Sequence, residues 1–207
     1  MPHTGGVSAH MQRVHTALYP NKPNPLVNDL TNMFTNAKSF ESNVTFSVDG
    51  VDIPAHRSIL MARSEYFKAM FGSGLSETTA SSTTRLTVRE TTREAFTSLL
   101  MYLYTGDADR VVNGGGVLEL MDLAHRYGAC DLEKYCLWYI ESNVSDGTAI
   151  ELLVWSSMRA DMGLYVDLRS KVKAYILDHV ESIMENHVDT FGLLDEDTKM
   201  ELGLHVK

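Results

Sequence analysis

The stretch that decides the fold is residues 43–71, NVTFSVDGVDIPAHRSILMARSEYFKAMF. Apolar and polar residues alternate over 44–48, which predicts a strand with one buried face. Asp49 and Gly50 come next, and this pair readily adopts the positive φ angles of a type I′ turn, so a β-hairpin is expected. Apolar residues at helical spacing then predict a broken helix, with Ser64 capping its second part.

The segment before the hairpin predicts a polar leader and a short helix. Pro20, Pro23 and Pro25 deny the leader helix and ladder hydrogen bonds, so we expect residues 1–25 to form a flexible tail or a strand-like arm. The helix that follows is amphipathic, and its apolar residues are Leu26, Leu30, Met33 and Phe34.

The segment after the hairpin predicts a third strand in TRLTVRE, residues 84–90. The next helix is expected to begin at a capping box of Thr91 and Glu94 and to stop at Gly106. A short strand is then expected over 110–112, followed by two helices. The predicted order αββαβαβαα is an α+β fold with a small sheet among helices.

The last part of the chain, residues 146–207, predicts helices alone. Two apolar stripes at helical spacing run through it, and charged residues lie on the opposite face. We place the domain boundary near Ser145 to Gly147, with a main domain at 26–145 and a helical extension at 146–207.

The composition limits the classes of partner. Of the 207 residues 44% are hydrophobic and 22% charged, as in ordinary globular proteins, and the net charge is −9. No basic stripe predicts nucleic-acid binding, and no apolar run is long enough for a membrane span or a secretory signal. Cys130 and Cys136 lie on nearly opposite faces of one predicted helix, which favours reduced thiols and an intracellular protein.

Motifs for catalysis, metals or cofactors are absent from the sequence. The histidines, among them His56, His125 and His179, show no metal-ligand spacing and are interpreted as structural. The glycines at 72–74 and 114–116 lack the rest of a phosphate loop, and DEDTK at 195–199 lacks the spacing of a calcium loop. We therefore expect no enzyme, metal or cofactor, although a triad dispersed in sequence stays open.

Three blocks closely resemble the BTB/POZ domain. The blocks are residues 43–78, 86–108 and 118–144, and they include AHRSILMARSEYFKAMF and LLMYLYTG in the family's order and separation. The resemblance covers residues 26–145. Residues 146–207 resemble the start of the BACK, or three-box, region that often follows such a domain.

The resemblance implies a protein-interaction module that forms homodimers and serves as a substrate adaptor for cullin-3 ubiquitin ligases, in the cytoplasm or nucleus. It implies cullin contacts at Leu75, Ser76 and Glu77, the hydrophobic-x-Glu element after the FKAMF helix. Tyr104 and the helices near 117–127 and 150–155 are further candidates by position. The alternative is a dimerisation or scaffold module of a transcriptional regulator or larger protein, and the substrate is not identified.

The resemblance also implies a dimer interface on the first helix. Its apolar residues expose more surface than a short helix keeps in water, so they must pack on a partner or within the chain. The expected interface residues are Leu26, Leu30, Met33, Phe34 and Arg57.

One position departs from the family pattern. Asn43 stands where many relatives carry Asp beside the arginine that is Arg57 here. Without that acid, Arg57 is expected to be more exposed or to pair with another acid such as Asp52. A peptide groove that depends on the pair is therefore in doubt.

Overall fold

The computed structural model describes residues 24–72, 84–113, 116–159 and 163–202. The chain divides into two compact units, residues 1–133 and 134–207. This division falls inside one helix, Cys130–Ser142, and the domain boundary near residue 145 stays a prediction.

In its described residues, the first unit contains a three-stranded sheet, the starts of seven α-helices and one 3₁₀ helix. Its strands are β1 (Val44–Val48), β2 (Val51–Ala55) and β3 (Thr84–Val88). Its helices are α1 (Pro25–Thr35), a 3₁₀ helix (Ala37–Phe40), α2 (Arg57–Arg63), α3 (Glu65–Gly72), α4 (Arg93–Thr105), α5 (Ala108–Val112), α6 (Val117–Arg126) and α7 (Cys130–Ser142), which continues into the second unit.

The sheet has the order β2-β1-β3, with β1 antiparallel to β2 and parallel to β3. Asp49 and Gly50 have φ angles of 49° and 78°, so the predicted tight hairpin turn is confirmed. Along β1 the apolar side chains are fully buried and the two polar ones are half-buried, as the alternation predicts. The sheet therefore presents one face to the core.

An aromatic cluster joins this face to the helices. The Phe46 ring lies 5.7 Å from the Phe67 ring of α3 and 5.1 Å from the Phe96 ring of α4. Tyr127 stacks on Phe67 at 5.2 Å. Fully burying each such side chain contributes about 1.5–3 kcal/mol, so these contacts fix α3 and α4 on the sheet.

Two predicted helix ends are confirmed. The Ser64 hydroxyl accepts a hydrogen bond from the Phe67 amide at 3.2 Å and caps α3. Gly106 ends α4 with a φ of 70°, and its amide donates to the Tyr102 carbonyl at 2.7 Å. A positive φ at this position suits glycine because it has no Cβ.

Two predictions are wrong. The cap of α4 is Thr92, whose hydroxyl accepts from the Ala95 amide at 3.2 Å, whereas Thr91 donates to the Glu119 carboxylate at 2.9 Å. Residues 110–112 belong to helix α5 instead of a strand. Asp107 accepts from the Arg110 amide at 3.1 Å, and this cap outweighs the strand preference of the two valines that follow.

The second unit is helical throughout its described residues, as predicted. Leu168, Val172, Ile176 and Ile183 form its buried apolar stripe. After α7 its elements are α8 (Asp146–Ser157), α9 (Gly163–Asp178), α10 (Val180–Asn186), a second 3₁₀ helix (Val188–Leu193) and α11 (Glu196–Glu201).

Candidate interaction surfaces

Helix α1 divides its apolar residues between the core and solvent. Asn24 caps the helix by accepting from the Leu26 amide at 3.1 Å. The Phe34 side chain is only 7% exposed, and its ring lies 5.0 Å from that of Tyr104 on α4. Leu26 is 60% exposed, while Leu30 and Met33 are half-buried. Phe34 therefore anchors α1 on its own chain, and the other three apolar side chains leave a stripe accessible.

Tyr104 lies in the core, 3% exposed. Its hydroxyl accepts from the His56 amide at 2.8 Å and lies 2.7 Å from His56 Nδ1. His56 Nε2 lies 2.7 Å from the Phe40 carbonyl oxygen. Because a carbonyl oxygen only accepts, Nε2 carries the ring proton, and Nδ1 accepts from the Tyr104 hydroxyl.

Burial raises the pKa of Tyr104 to about 12, although the hydrogen bond from the His56 amide lowers it. The hydroxyl thus stays protonated and keeps its donor role. The structure places Tyr104 in the interior, where the sequence predicted a position on the cullin-binding surface. The buried partnership with His56 was not predicted from the sequence, because the two residues are 48 positions apart.

The Asn43 side chain accepts a hydrogen bond from the first residue of α2. Its side-chain oxygen accepts from the Arg57 amide at 2.8 Å. The Arg57 guanidinium is half-buried, donates to the Thr84 hydroxyl and lies 5.4 Å from the centre of the Phe71 ring. Asp52 forms its ion pair with Arg85 at 2.8 Å. The guanidinium of Arg57 thus contacts a hydroxyl and an aromatic ring face, and the predicted exposure of this side chain is only partial.

The predicted cullin-contact residues Leu75, Ser76 and Glu77 lie outside the described residues. The helix that leads to them, α3, ends at Gly72. Its inner side is fixed by the buried Phe67, and Tyr66 on its outer side packs edge-on against Tyr127 at 4.9 Å. The predicted element therefore follows a firmly packed helix.

Helix α6 contributes a carboxylate that the sequence motifs did not indicate. Glu119 accepts from the hydroxyls of Thr91 and Thr92 at 2.9 and 2.8 Å. Burial alone would raise the pKa of Glu119, but hydrogen bonds from Thr92 and Thr91 lower it. The side chain ties α6 to the start of α4. The helix near 117–127, which was a candidate for the cullin surface by position, is α6. Its Leu120 and Leu123 are buried, and α6 packs against α4.

Within the part of the chain that the structure describes, no three His, Cys, Asp or Glu side chains are placed to hold a metal ion. Among the same residues, no helix has the length and apolar character needed to cross a bilayer.

The chain is similar to parts of several curated proteins. Human BTB/POZ domain-containing protein 9 is 42% identical over 99 residues, which is 47% of this chain and 16% of that protein. Human leucine-zipper-like transcriptional regulator 1 is 31% identical over 62% of this chain and 15% of its own length. Rat Kelch-like protein 2 is 29% identical over 69% of this chain and 22% of its own. The chain therefore spans less than a quarter of each of these relatives.

Two solved structures are similar at low sequence identity. The BTB domain of zebrafish PATZ1 is 20% identical with a TM-score of 0.44, over 69% of this chain and all of that one. The BTB domain of human gigaxonin is 17% identical with a TM-score of 0.41, over 57% of this chain and 93% of that one. The family model of the BTB/POZ domain matches residues 31–143, more than half of the sequence. The chain belongs to the BTB/POZ domain family.

Proposed function

We propose that the chain is a homodimeric adaptor that brings substrate proteins to a cullin-3 ubiquitin ligase. The BTB/POZ domain implies protein–protein interaction, and this coarser function follows from family membership. The observation that carries the finer proposal is that the family match spans the segment after α3, where Leu75-Ser76-Glu77 resembles the cullin-contact element. Similarity to Kelch-like protein 2 supports it.

The residue types suit such a contact. A leucine can enter an apolar pocket on the cullin and lose water on all sides, which is how interface anchors gain most of their energy. A glutamate two residues later can accept hydrogen bonds at the rim of that pocket. Helix α3, which precedes this segment, is fixed by the stacking of Phe67 on Tyr127 and ends at Gly72.

The dimer part of the proposal rests on α1. Leu26 is exposed, and the half-buried Leu30 and Met33 lie one and two turns further along the same helix. Phe34 holds the helix against α4, so the stripe is presented on a fixed support. A second copy that covers this stripe would remove apolar surface from water on both chains.

The cullin contact is tested by titrating the cullin-3 N-terminal region into the purified chain by calorimetry. Replacing Leu75→Ala together with Glu77→Ala is expected to weaken binding by about thirtyfold or more, equivalent to about 2 kcal/mol. The matched control is Leu177→Ala with Glu181→Ala, an exposed leucine and glutamate in the second unit. The ligase proposal fails if the wild type does not bind, or if both pairs behave alike.

The second candidate is a dimerisation module without a ligase role, favoured by the similarity to leucine-zipper-like transcriptional regulator 1. A chain that is dimeric by light scattering and silent in the cullin titration would support this candidate. A dimer that binds the cullin region through Leu75 and Glu77 would exclude it.

A further inference from the structure

The second unit contains an apolar groove that the BTB/POZ assignment does not use. It lies between the C-terminal end of α8, the second 3₁₀ helix and the start of α11, and it encloses about 260 Å³. Its floor is buried, whereas Met158 and Leu193 on its rim are 76% and 55% exposed. We call it the extension groove, and its lining residues are Leu153, Val154, Ser157, Met158, Leu193, Leu194, Asp195 and Thr198.

The two rim residues indicate an anchoring site for a protein segment. Single exposed apolar side chains are common, but here two large ones border the same concave surface. Methionine adapts its shape to different partners because it is unbranched and polarizable. The volume is below the roughly 300–1,000 Å³ of typical small-molecule pockets, so it suits anchoring side chains better than a whole small ligand.

Charge around the extension groove is strongly negative on one wall. Residues 188–202, which include this wall, contain five acidic side chains and a single lysine. That lysine, Lys199, is paired with Glu196 at 2.7 Å. Hydrogen bonds from Thr198 lower the pKa of the Asp195 carboxyl, and Arg169 is close enough to help lower it. Asp195 lines the groove, and the exposed Asp189 and Asp197 lie on the two elements that form this wall. Since these acids repel one another, a cationic partner would relieve the repulsion.

The helix that forms the opposite wall, α8, also carries an acid. Glu151 is exposed on α8, three residues before Val154 and seven before Met158, so all three share one helix face. The nearby cation Arg159 lies 4.3 Å over the Trp155 ring. Apolar anchors therefore lie between acids on both sides.

We propose that the extension groove binds a basic amphipathic helix of a partner protein. Its apolar residues would fill the space between Met158 and Leu193, and its lysines and arginines would face Glu151 and the acids of 189–197. A partner cannot bind here by adding a strand to a sheet edge, because the described residues of this unit form no strand. Nucleic acid and anionic membranes are repelled by the same acids.

The probe is a fluorescent leucine/lysine peptide of about 18 residues, or five helical turns, with its leucines on one face. Fluorescence anisotropy of the full chain is expected to show saturable binding that weakens as salt rises. Two comparison peptides define specificity. A scrambled peptide of identical composition is expected to bind at least about tenfold more weakly, and a leucine/glutamate peptide is expected not to bind.

The decisive variant is Met158→Lys with Leu193→Lys, which should weaken peptide binding at least about tenfold. The matched control, Leu177→Lys with Met184→Lys, adds the same charge at exposed apolar positions outside the groove. It should change binding less than about threefold. Because all four positions are exposed, circular dichroism is expected to show unchanged helix content. Met158→Ala, which adds no charge, should also weaken binding.

The proposal is overturned if the peptide does not bind, if the scrambled or acidic peptide binds equally well, or if both lysine pairs have the same effect. Its outcome is separate from that of the cullin proposal. Leu75→Ala with Glu77→Ala should leave peptide binding unchanged, so a loss of cullin binding alone would leave the groove assignment intact.

Discussion

At the residue scale, one buried hydroxyl connects two sequence-distant segments of the BTB/POZ domain. Tyr104 accepts from the His56 amide and donates to His56 Nδ1, and the other ring nitrogen donates to Phe40. The sequence predicted a structural role for His56 and a surface role for Tyr104. Helix α4 is apolar on nearly every face, so its periodicity did not show which residues point inward.

Tyr104→Phe is expected to destabilise the domain by about 2–3 kcal/mol, because it leaves a buried amide and a ring nitrogen without their partner. Chemical denaturation monitored by circular dichroism measures this change. Tyr66→Phe removes a hydroxyl from an exposed tyrosine and should change the free energy of unfolding by less than about 0.5 kcal/mol. Equal effects of the two substitutions would contradict the interior role. Cullin affinity of the folded Tyr104→Phe variant should match the wild type.

At the element scale, local chemistry explains what the sequence predicted. The hairpin turn, the Ser64 cap and the Gly106 stop each depend on residues within four positions of one another. A strand was predicted in place of helix α5 because Val111 and Val112 favour strands, and the prediction did not include the cap at Asp107. The extension groove was not predicted, since it requires residues near 155 and near 195 to meet in the folded chain.

The start of α8 is joined to α9 and α10 by one carboxylate, Asp146. It accepts from the Ser182 hydroxyl at 2.5 Å and from the Tyr175 hydroxyl at 2.9 Å. These hydrogen bonds, that of Ser182 first, lower the pKa of Asp146 from its ordinary 3.8. Its stabilising contribution is therefore present above that value and is lost as pH falls through the lower folded pKa.

Asp146→Asn should make helix unfolding less dependent on pH as the pH falls below about 4, because the amide has no proton to gain. Thermal unfolding followed at 222 nm across this range is the measurement. Asp167→Asn, an exposed position on α9, should retain the wild-type pH dependence. If Asp146→Asn and wild type lose stability in parallel, the proposed contribution of Asp146 is absent.

At the scale of the whole molecule, charge and apolar surface are unevenly distributed along the chain. Residues 134–207 contain thirteen acids and seven lysines and arginines, a net −6 of the chain's −9. The sequence predicted this unit as helical and the first unit as the interaction domain. The sequence pattern did not show that Phe34 is buried in the core and Leu26 is exposed, because both residues belong to the same apolar stripe of α1.

The dimer proposal is tested by Leu26→Asp with Met33→Asp. Each carboxylate would have to be buried without a partner at a second copy, so dimer affinity should fall at least about a hundredfold. Light scattering after gel filtration should then change from twice the chain mass of 23.1 kDa to that mass. Val188→Asp with Leu193→Asp, at exposed positions of the second unit, should leave the dimer intact. If the wild type is a monomer, or if the variant with Leu26→Asp and Met33→Asp is still a dimer, the exposed stripe of α1 is not the dimer interface.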